Sequence, residues 1–99
     1  MAQFDVYRNP SGDGFVLDVQ AELLDELKTR VVIPLLALPR FPKPAKRLNP
    51  LFTVARRRHV MATQFMAAIP VAELREPIGT LALHRDEIIG AIDMLLSGV

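Results

Sequence analysis

The alternation of apolar and polar residues over the first 20 positions constrains the fold more than any other feature. In "QFDVYR", Phe4 and Val6 share one face, which is the period of a half-buried strand. The other face carries Gln3, Asp5 and Tyr7. A proline and two glycines follow in "NPSGDG", and "FVLDVQ" then alternates again. These 20 residues therefore predict a β-hairpin.

The C-terminal segment has the period of a helix from Arg85 onward. Asp86 and Glu87 suit the positive end of a helix dipole. One side of this helix carries Ile88, Ile89, Ile92, Leu95 and Leu96. Because Gly98 stands where a left-handed residue ends a helix, we expect the helix to end at Ser97 or just before.

The middle of the chain is rich in proline and in β-branched residues. "AELLDELKTR" predicts a turn or a brief helix, and "RVVIPLLAL" predicts a strand that lies on a sheet edge or is broken at Pro34. "PRFPKPAKRLNP" contains four of the eight prolines and predicts an exposed connection. "LFTVARRRHVMATQFMAAIPV" predicts two strands, with "RRRH" at the reversal and Pro70 ending or kinking the second strand.

Composition limits the function classes. A length of 99 residues predicts one domain spanning residues 1–99. The 51% hydrophobic content predicts a dimer interface, because a domain of this size cannot bury all its apolar residues. With no cysteine, no signal-peptide pattern and no apolar run near the roughly 18 residues that span a bilayer, we expect a soluble cytoplasmic protein without membrane contact. A net charge of +1 is too balanced for a protein whose affinity depends on phosphate contacts.

The candidate chemical groups do not specify a reaction. The carboxylates have no spacing that indicates acid–base catalysis, and the two histidines, His59 and His84, lie far apart without a metal-binding motif. We therefore expect no catalytic residue, metal or cofactor. The segment "ARRRH" could bind phosphate or an acidic peptide, although a solvated hairpin tip is the simpler interpretation. The apolar end "LLSGV" is either packed in the core or an interaction surface.

Six segments, read in order, resemble the CcdB family of toxins from toxin–antitoxin pairs. They are "QFDVYR", "FVLDVQAELLD", "RVVIPL", "MATQFMAAIPV", "LHRDEI" and "AIDMLLSGV". The resemblance implies a mainly β fold with a C-terminal α-helix, in which an SH3-barrel-like antiparallel sheet of the CcdB/MazF type forms a homodimer. It also implies a toxin without catalytic activity that binds the A subunit of DNA gyrase and traps the enzyme on cleaved DNA.

The resemblance further implies two sets of binding residues. For gyrase these are two aliphatic residues after the second strand and the end of the helix: Leu23, Leu24, Asp93, Leu96, Ser97, Gly98 and Val99. The disordered C-terminal segment of a CcdA-like antitoxin would contact the first hairpin loop and the long connection, around Asn9, Ser11, Gly12, Asp13, Lys43, Lys46 and Arg47. DNA would be reached only indirectly, through the antitoxin complex.

One position departs from the family pattern. Ser97 stands where the well-known members carry Trp. Truncation of such a hot spot costs roughly 2 to 4 kcal/mol, or about 30- to 1000-fold in affinity. The protein would then poison gyrase weakly, use Leu96 and Val99 on a different gyrase, or have lost toxicity.

Two alternatives remain open at the level of sequence. The first is a MazF-like sequence-specific ribonuclease on the same fold, for which Arg30, Thr53 and Arg56 are conceivable catalytic parts. The second is a non-toxic relative that retains antitoxin binding.

Overall fold

The computed structural model describes residues 2–41 and 43–98. Its strands are β1 (Asp5–Arg8), β2 (Phe15–Asp18), β3 (Thr29–Ala37), β4 (Leu51–Val54), β5 (Arg57–Met61), β6 (Ala67–Pro70) and β7 (Gly79–Thr80). The helix α1 spans Arg85–Ser97. Short 3-10 turns occupy Glu22–Leu24, Leu38–Arg40, Thr63–Phe65, Val71–Glu73 and Ala82–His84.

The strands form a nearly closed antiparallel barrel. Their order is β4-β5-β3-β2-β1-β7, and β6 pairs with β3 beside this path. The chain after β7 returns to β4, where the His84 ring lies 5.0 Å from the Phe52 ring. Helix α1 closes the core through Ile88 and Ala91. The fold is thus mostly β with a C-terminal helix, as the sequence predicted.

The predicted N-terminal hairpin is confirmed, but it is not half-buried. Phe4 and Val6 lie in the main core, whereas Tyr7 on the opposite face is also buried, in a second cluster with Val16 and Leu74. Two faces are covered because the segment after β6 folds over the outer face of the hairpin. The hairpin turn requires glycine at position 14, which has φ +89° and would place a Cβ 2.8 Å from the Leu35 carbonyl oxygen.

The prediction of an edge or broken strand at Pro34 is wrong. Strand β3 continues through Pro34 and has β2 on one side and β5 and β6 on the other. The Pro34 carbonyl oxygen accepts a hydrogen bond from the Ala62 amide at 2.9 Å, at the point where the neighbour of β3 changes from β5 to β6. The missing amide hydrogen of proline would point to this same side, so no strand ladder is interrupted.

The segment 51–71 forms three strands instead of two. Only Ala55 and Arg56 make the reversal, both with left-handed backbone (φ +51° and +68°), while the following Arg57, Arg58 and His59 belong to β5. A two-residue turn of this kind suits the twist of a tight hairpin. A 3-10 turn at Thr63–Phe65 then redirects the chain into β6, which ends at Pro70 as predicted.

The helix has the predicted bounds and cap. Ser97 is its last residue, and Gly98 is left-handed with its amide donating to the Met94 carbonyl oxygen at 3.0 Å. The apolar stripe is buried at its start, at Ile88, and becomes exposed at Leu95 and Leu96. None of the helical segments in the described part of the chain has the length and apolar character needed to cross a bilayer.

Candidate interaction surfaces

Two exposed leucines project from the 3-10 turn Glu22–Leu24, here called the leucine turn. The Leu23 side chain is 96% exposed and that of Leu24 is 50% exposed. Leu23 lines a shallow depression together with Ala82 and Arg85, at the start of α1. Because two adjacent leucines are exposed here, the turn offers contiguous apolar surface to a partner.

A buried polar network holds the leucine turn from below. The Gln20 side chain donates to the Leu24 carbonyl oxygen at 2.9 Å and accepts from the Val31 amide at 3.0 Å. Arg30, which is fully buried, donates through Nη1 to Asp25 Oδ1 at 3.3 Å, directly after the turn. The turn is therefore tied to the sheet on both sides, although its own side chains point to solvent.

The centre of this network is an ion pair between two fully buried side chains. Arg30 Nη2 and Nε lie 2.7 Å and 2.9 Å from Asp18 Oδ2. The backbone amide of Gln20 donates to Asp18 Oδ1 at 3.0 Å. Burial raises the pKa of the Asp18 carboxyl above its ordinary value, and the hydrogen bonds from Arg30 and Gln20 offset this only in part. Removal of Arg30 would leave the Asp18 carboxylate buried without a cation.

The end of α1 carries the second part of the predicted gyrase set. Leu96 is 73% exposed, and Asp93, Ser97 and Gly98 are also exposed. The Ser97 hydroxyl donates to the Asp93 carbonyl oxygen at 2.8 Å, so it is bonded within its own helix. Val99 lies outside the described residues. The helix end is thus an exposed leucine followed by a left-handed glycine cap.

The two parts of the predicted gyrase set form separate patches in one protomer. Leu23 neighbours Arg85 at the first turn of the helix, whereas Leu96 lies in the last turn. At a rise of 1.5 Å per residue, these two helix positions are about 16 Å apart along the axis. A single apolar surface would require a ligand that spans this length or a second protomer.

The first hairpin loop lies beside the start of the long connection. The Asn9 side chain accepts from the Ser11 amide at 2.9 Å, and the Gly12 amide donates to the Asn9 carbonyl oxygen at 3.3 Å. At the loop end, Asp13 Oδ2 lies 3.4 Å from Arg40 Nη1, with both side chains largely exposed. This part of the predicted antitoxin set is therefore built from two adjacent segments.

The remaining predicted antitoxin residues lie further along the connection. Lys43 and Lys46 are exposed. Arg47 has a left-handed backbone (φ +67°) and lines a depression with Asp86 and Glu87 at the start of α1. Arg47 thus lies near the acidic start of the helix, away from the Asp13–Arg40 pair at the hairpin loop.

The three residues considered as catalytic parts of a ribonuclease do not form a common site. Arg30 lies in the part of β3 that pairs with β6, and its guanidinium group is fully buried against Asp18. Thr53 is in β4 and Arg56 is in the following turn, next to β5. A buried and paired arginine cannot stabilise charge on a bound phosphate, so these positions do not form a catalytic site.

The structure also identifies an exposed residue that sequence reasoning missed. Leu83 is 98% exposed in the turn Ala82–His84, next in the chain to Ala82, which lines the same depression as Leu23. A three-residue turn carries no periodic signal, and so the sequence pattern did not distinguish Leu83 from the buried Leu81.

The sequence of the chain matches one model of a known protein family. The model described as CcdB protein matches residues 3–98, nearly the whole chain. This match includes the leucine turn, the hairpin loop, the connection and α1. It is consistent with a toxin of a toxin–antitoxin system. The chain belongs to the CcdB family.

Proposed function

We propose that the protein is the toxin of a type II toxin–antitoxin system. As a homodimer, this toxin binds the A subunit of DNA gyrase and traps the enzyme on cleaved DNA. The observation that carries this proposal is the exposure of Leu23, Leu24 and Leu96, at positions where the family resemblance implies gyrase contacts. In a monomer these apolar groups would have no partner. Their exposure supports an interaction surface.

The proposed contact does not need a catalytic group. Leu96 supplies apolar area at the helix end, and Leu23 and Leu24 supply a second patch. Val99, which follows the Gly98 cap in the sequence, is the other aliphatic residue of the predicted contact. In the homodimer each patch occurs twice, so that one gyrase surface can contact patches from both protomers. Because the Ser97 hydroxyl is bonded to its own helix, it replaces neither the area nor the shape of Trp. We therefore expect weaker poisoning than in members that carry Trp.

Antitoxin binding belongs to the same proposal. The exposed hairpin loop from Asn9 to Asp13 and the exposed Lys43 and Lys46 offer polar and cationic contacts to an acidic, disordered peptide. Since Arg47 lies beside the start of α1, a peptide that contacts all of these residues would have to cross the connection.

A cleavage-complex assay tests the gyrase contact. The purified protein is mixed with gyrase and supercoiled DNA, and trapped cleaved DNA is measured for the wild type, Leu23→Asp and Leu96→Asp. Each substitution should reduce trapping by at least about tenfold, because a buried carboxylate at an apolar contact is unfavourable. Ile78→Asp is the matched control, since Ile78 is a half-exposed aliphatic residue outside both patches.

The alternatives predict other outcomes. Equal trapping by all variants would refute the assigned surface. If the wild type traps no cleaved DNA, the gyrase function is refuted, and binding of an antitoxin peptide would favour the non-toxic relative. Sequence-specific cleavage of a long RNA by the pure protein would favour a ribonuclease.

A further inference from the structure

The net charge of +1 conceals a strong separation of charge along the chain. All eleven Asp and Glu residues lie in residues 1–26 and 73–99. Residues 27–72 contain nine of the twelve Lys and Arg residues and no acidic residue. The balanced total is therefore no guide to the local field of the folded protein, which depends on where these cations lie.

Some of these cations are neutralised by acidic residues from the chain ends. Arg30 pairs with Asp18 in the interior, Arg40 pairs with Asp13, and Arg47 lies with Asp86 and Glu87 around one depression. The two ion pairs compensate Arg30 and Arg40, and Arg47 lines a depression together with two carboxylates.

Three consecutive arginines on the β4–β5 hairpin are not neutralised in this way. Arg56, Arg57 and Arg58 are all exposed, and within residues 2–41 and 43–98 none of them forms an ion pair with a carboxylate. Their one side-chain hydrogen bond runs from Arg58 Nη1 to Thr53 Oγ1 at 3.2 Å, which leaves the charge unpaired. We call residues 53–58 the arginine ribbon.

The arginine ribbon is two strands wide. Val54 pairs with Arg57 and Thr53 pairs with Arg58, while β5 pairs with β3 only from His59 onward. Adjacent residues of a strand point to opposite faces, so Arg57 and Arg58 extend to opposite faces of the ribbon. Val54, the partner of Arg57, is buried in the main core, so Arg57 is exposed at the margin of the core-facing side. Arg56 stands at the tip in a left-handed conformation that favours glycine. The tip therefore presents cationic side chains on both faces and at its end.

This distribution of charge fits a groove lined by anions on both walls. A peptide lying on one face would reach only one of Arg57 and Arg58. The major groove of B-form DNA admits a two-stranded β-ribbon and is flanked by phosphates on both sides, and guanidinium groups bind phosphate in a bidentate manner. The major groove of A-form RNA is too narrow for this approach.

We propose that the arginine ribbon binds duplex DNA, independently of sequence, through phosphate contacts of Arg56, Arg57 and Arg58. This contact is direct, unlike the indirect contact through an antitoxin that the sequence suggested. It goes beyond the proposed function, and it does not depend on that function, because neither the leucine turn nor the helix end takes part. It would bring the protein to DNA on which gyrase acts.

The test is fluorescence anisotropy of the full-length protein with a labelled DNA duplex of arbitrary sequence. For three phosphate contacts, a plot of log K against log salt has a slope of about −2.7, so that a rise from about 50 mM to about 200 mM salt weakens binding about 40-fold. The triple variant Arg56→Gln/Arg57→Gln/Arg58→Gln should lose this binding and its salt dependence. Circular dichroism and thermal unfolding establish that the variant is folded.

Two controls make the result specific. Lys43→Gln/Lys46→Gln removes two cations that lie within residues 27–72 but outside the ribbon. This variant should retain more than half of the binding free energy and most of the slope of log K against log salt. Arg58→Lys keeps the charge but not the bidentate geometry, so it should weaken binding less than Arg58→Gln does.

Several outcomes would overturn the proposal. They are the absence of DNA binding by the wild type at the lowest salt, equal binding by the triple variant, and competition by polyglutamate at the same charge concentration as DNA. The last result would assign the ribbon to an acidic protein surface. Loss of gyrase trapping in Leu96→Asp with normal DNA binding would leave both proposals standing, whereas gyrase trapping without any DNA binding would overturn only this one.

Discussion

The buried ion pair between Arg30 and Asp18 is expected to dominate the response of the fold to a single substitution. Arg30→Met retains much of the side-chain volume but leaves the Asp18 carboxylate buried without its cation. Loss of one partner of a buried pair costs about 3 to 5 kcal/mol. For a domain of 99 residues this corresponds to a fall in Tm of about 14 to 24 °C.

A second variant separates the effect of charge from that of packing. Asp18→Asn combined with Arg30→Met removes both charges, while the amide oxygen can still accept the hydrogen bond from the Gln20 amide. We expect the double variant to be at least about 1 kcal/mol more stable than Arg30→Met, because no unpaired charge remains inside. Arg58→Met is the matched control at an exposed site and should change stability by less than about 0.5 kcal/mol.

The measurement is urea unfolding followed by circular dichroism near neutral pH, at one fixed protein concentration because self-association shifts the midpoint. A loss of less than about 1 kcal/mol in Arg30→Met, which is within the range of exposed pairs, would contradict a dominant role of this buried pair. A double variant that is no more stable than the single one would contradict it as well. Either result would mean that water or backbone movement compensates Asp18 in the interior.

Three further predictions concern local features of the fold. Burial raises the pKa of Tyr7 above 10.0, so above pH 10 the phenol ionises in the unfolded state but stays neutral in the folded state. The wild type should therefore lose stability relative to Tyr7→Phe as the pH rises above 10, by at most about 1.4 kcal/mol per pH unit. The same dependence of unfolding free energy on pH in both proteins would contradict this. Gly14→Ala should cost more than about 1 kcal/mol, because the new methyl group meets the rigid Leu35 carbonyl at a positive φ; an unchanged urea midpoint would show that the turn can relax. Gly90→Ala should stabilise the helix by up to about 1 kcal/mol, because a Cβ at this position meets no atom within 4 Å. Destabilisation together with weaker self-association in sedimentation experiments would instead indicate a dimer contact at Gly90.

Local pattern was sufficient for the elements whose hydrogen bonds close within a short stretch of chain. The first hairpin, the brief turn at Glu22–Leu24 and the left-handed cap at Gly98 all follow from period, turn residues and glycine placement. The resemblance to the CcdB family was carried by six such short stretches and is confirmed over residues 3–98. The exposed Leu96 was identified by the family pattern, because the apolar end by itself was compatible with either a packed position or an interaction surface.

Non-local pairing decided the remaining features. Pro34 lies inside a central strand because β5 and β6 leave a gap beside it, and Tyr7 is buried because a distant segment covers the outer face of the hairpin. Neither fact has a signal in the residues next to these positions.

The sequence by itself determined the fold class and the family, and it predicted which residues contact partners. Only the tertiary structure determined which of these residues lie together and which do not. It buried Arg30 against Asp18, placed Arg47 beside the acidic start of the helix, and separated the leucine turn from the helix end. The physical reason is that the period of a segment sets which side chains share a face, whereas packing of distant segments sets which faces meet and which charges are compensated.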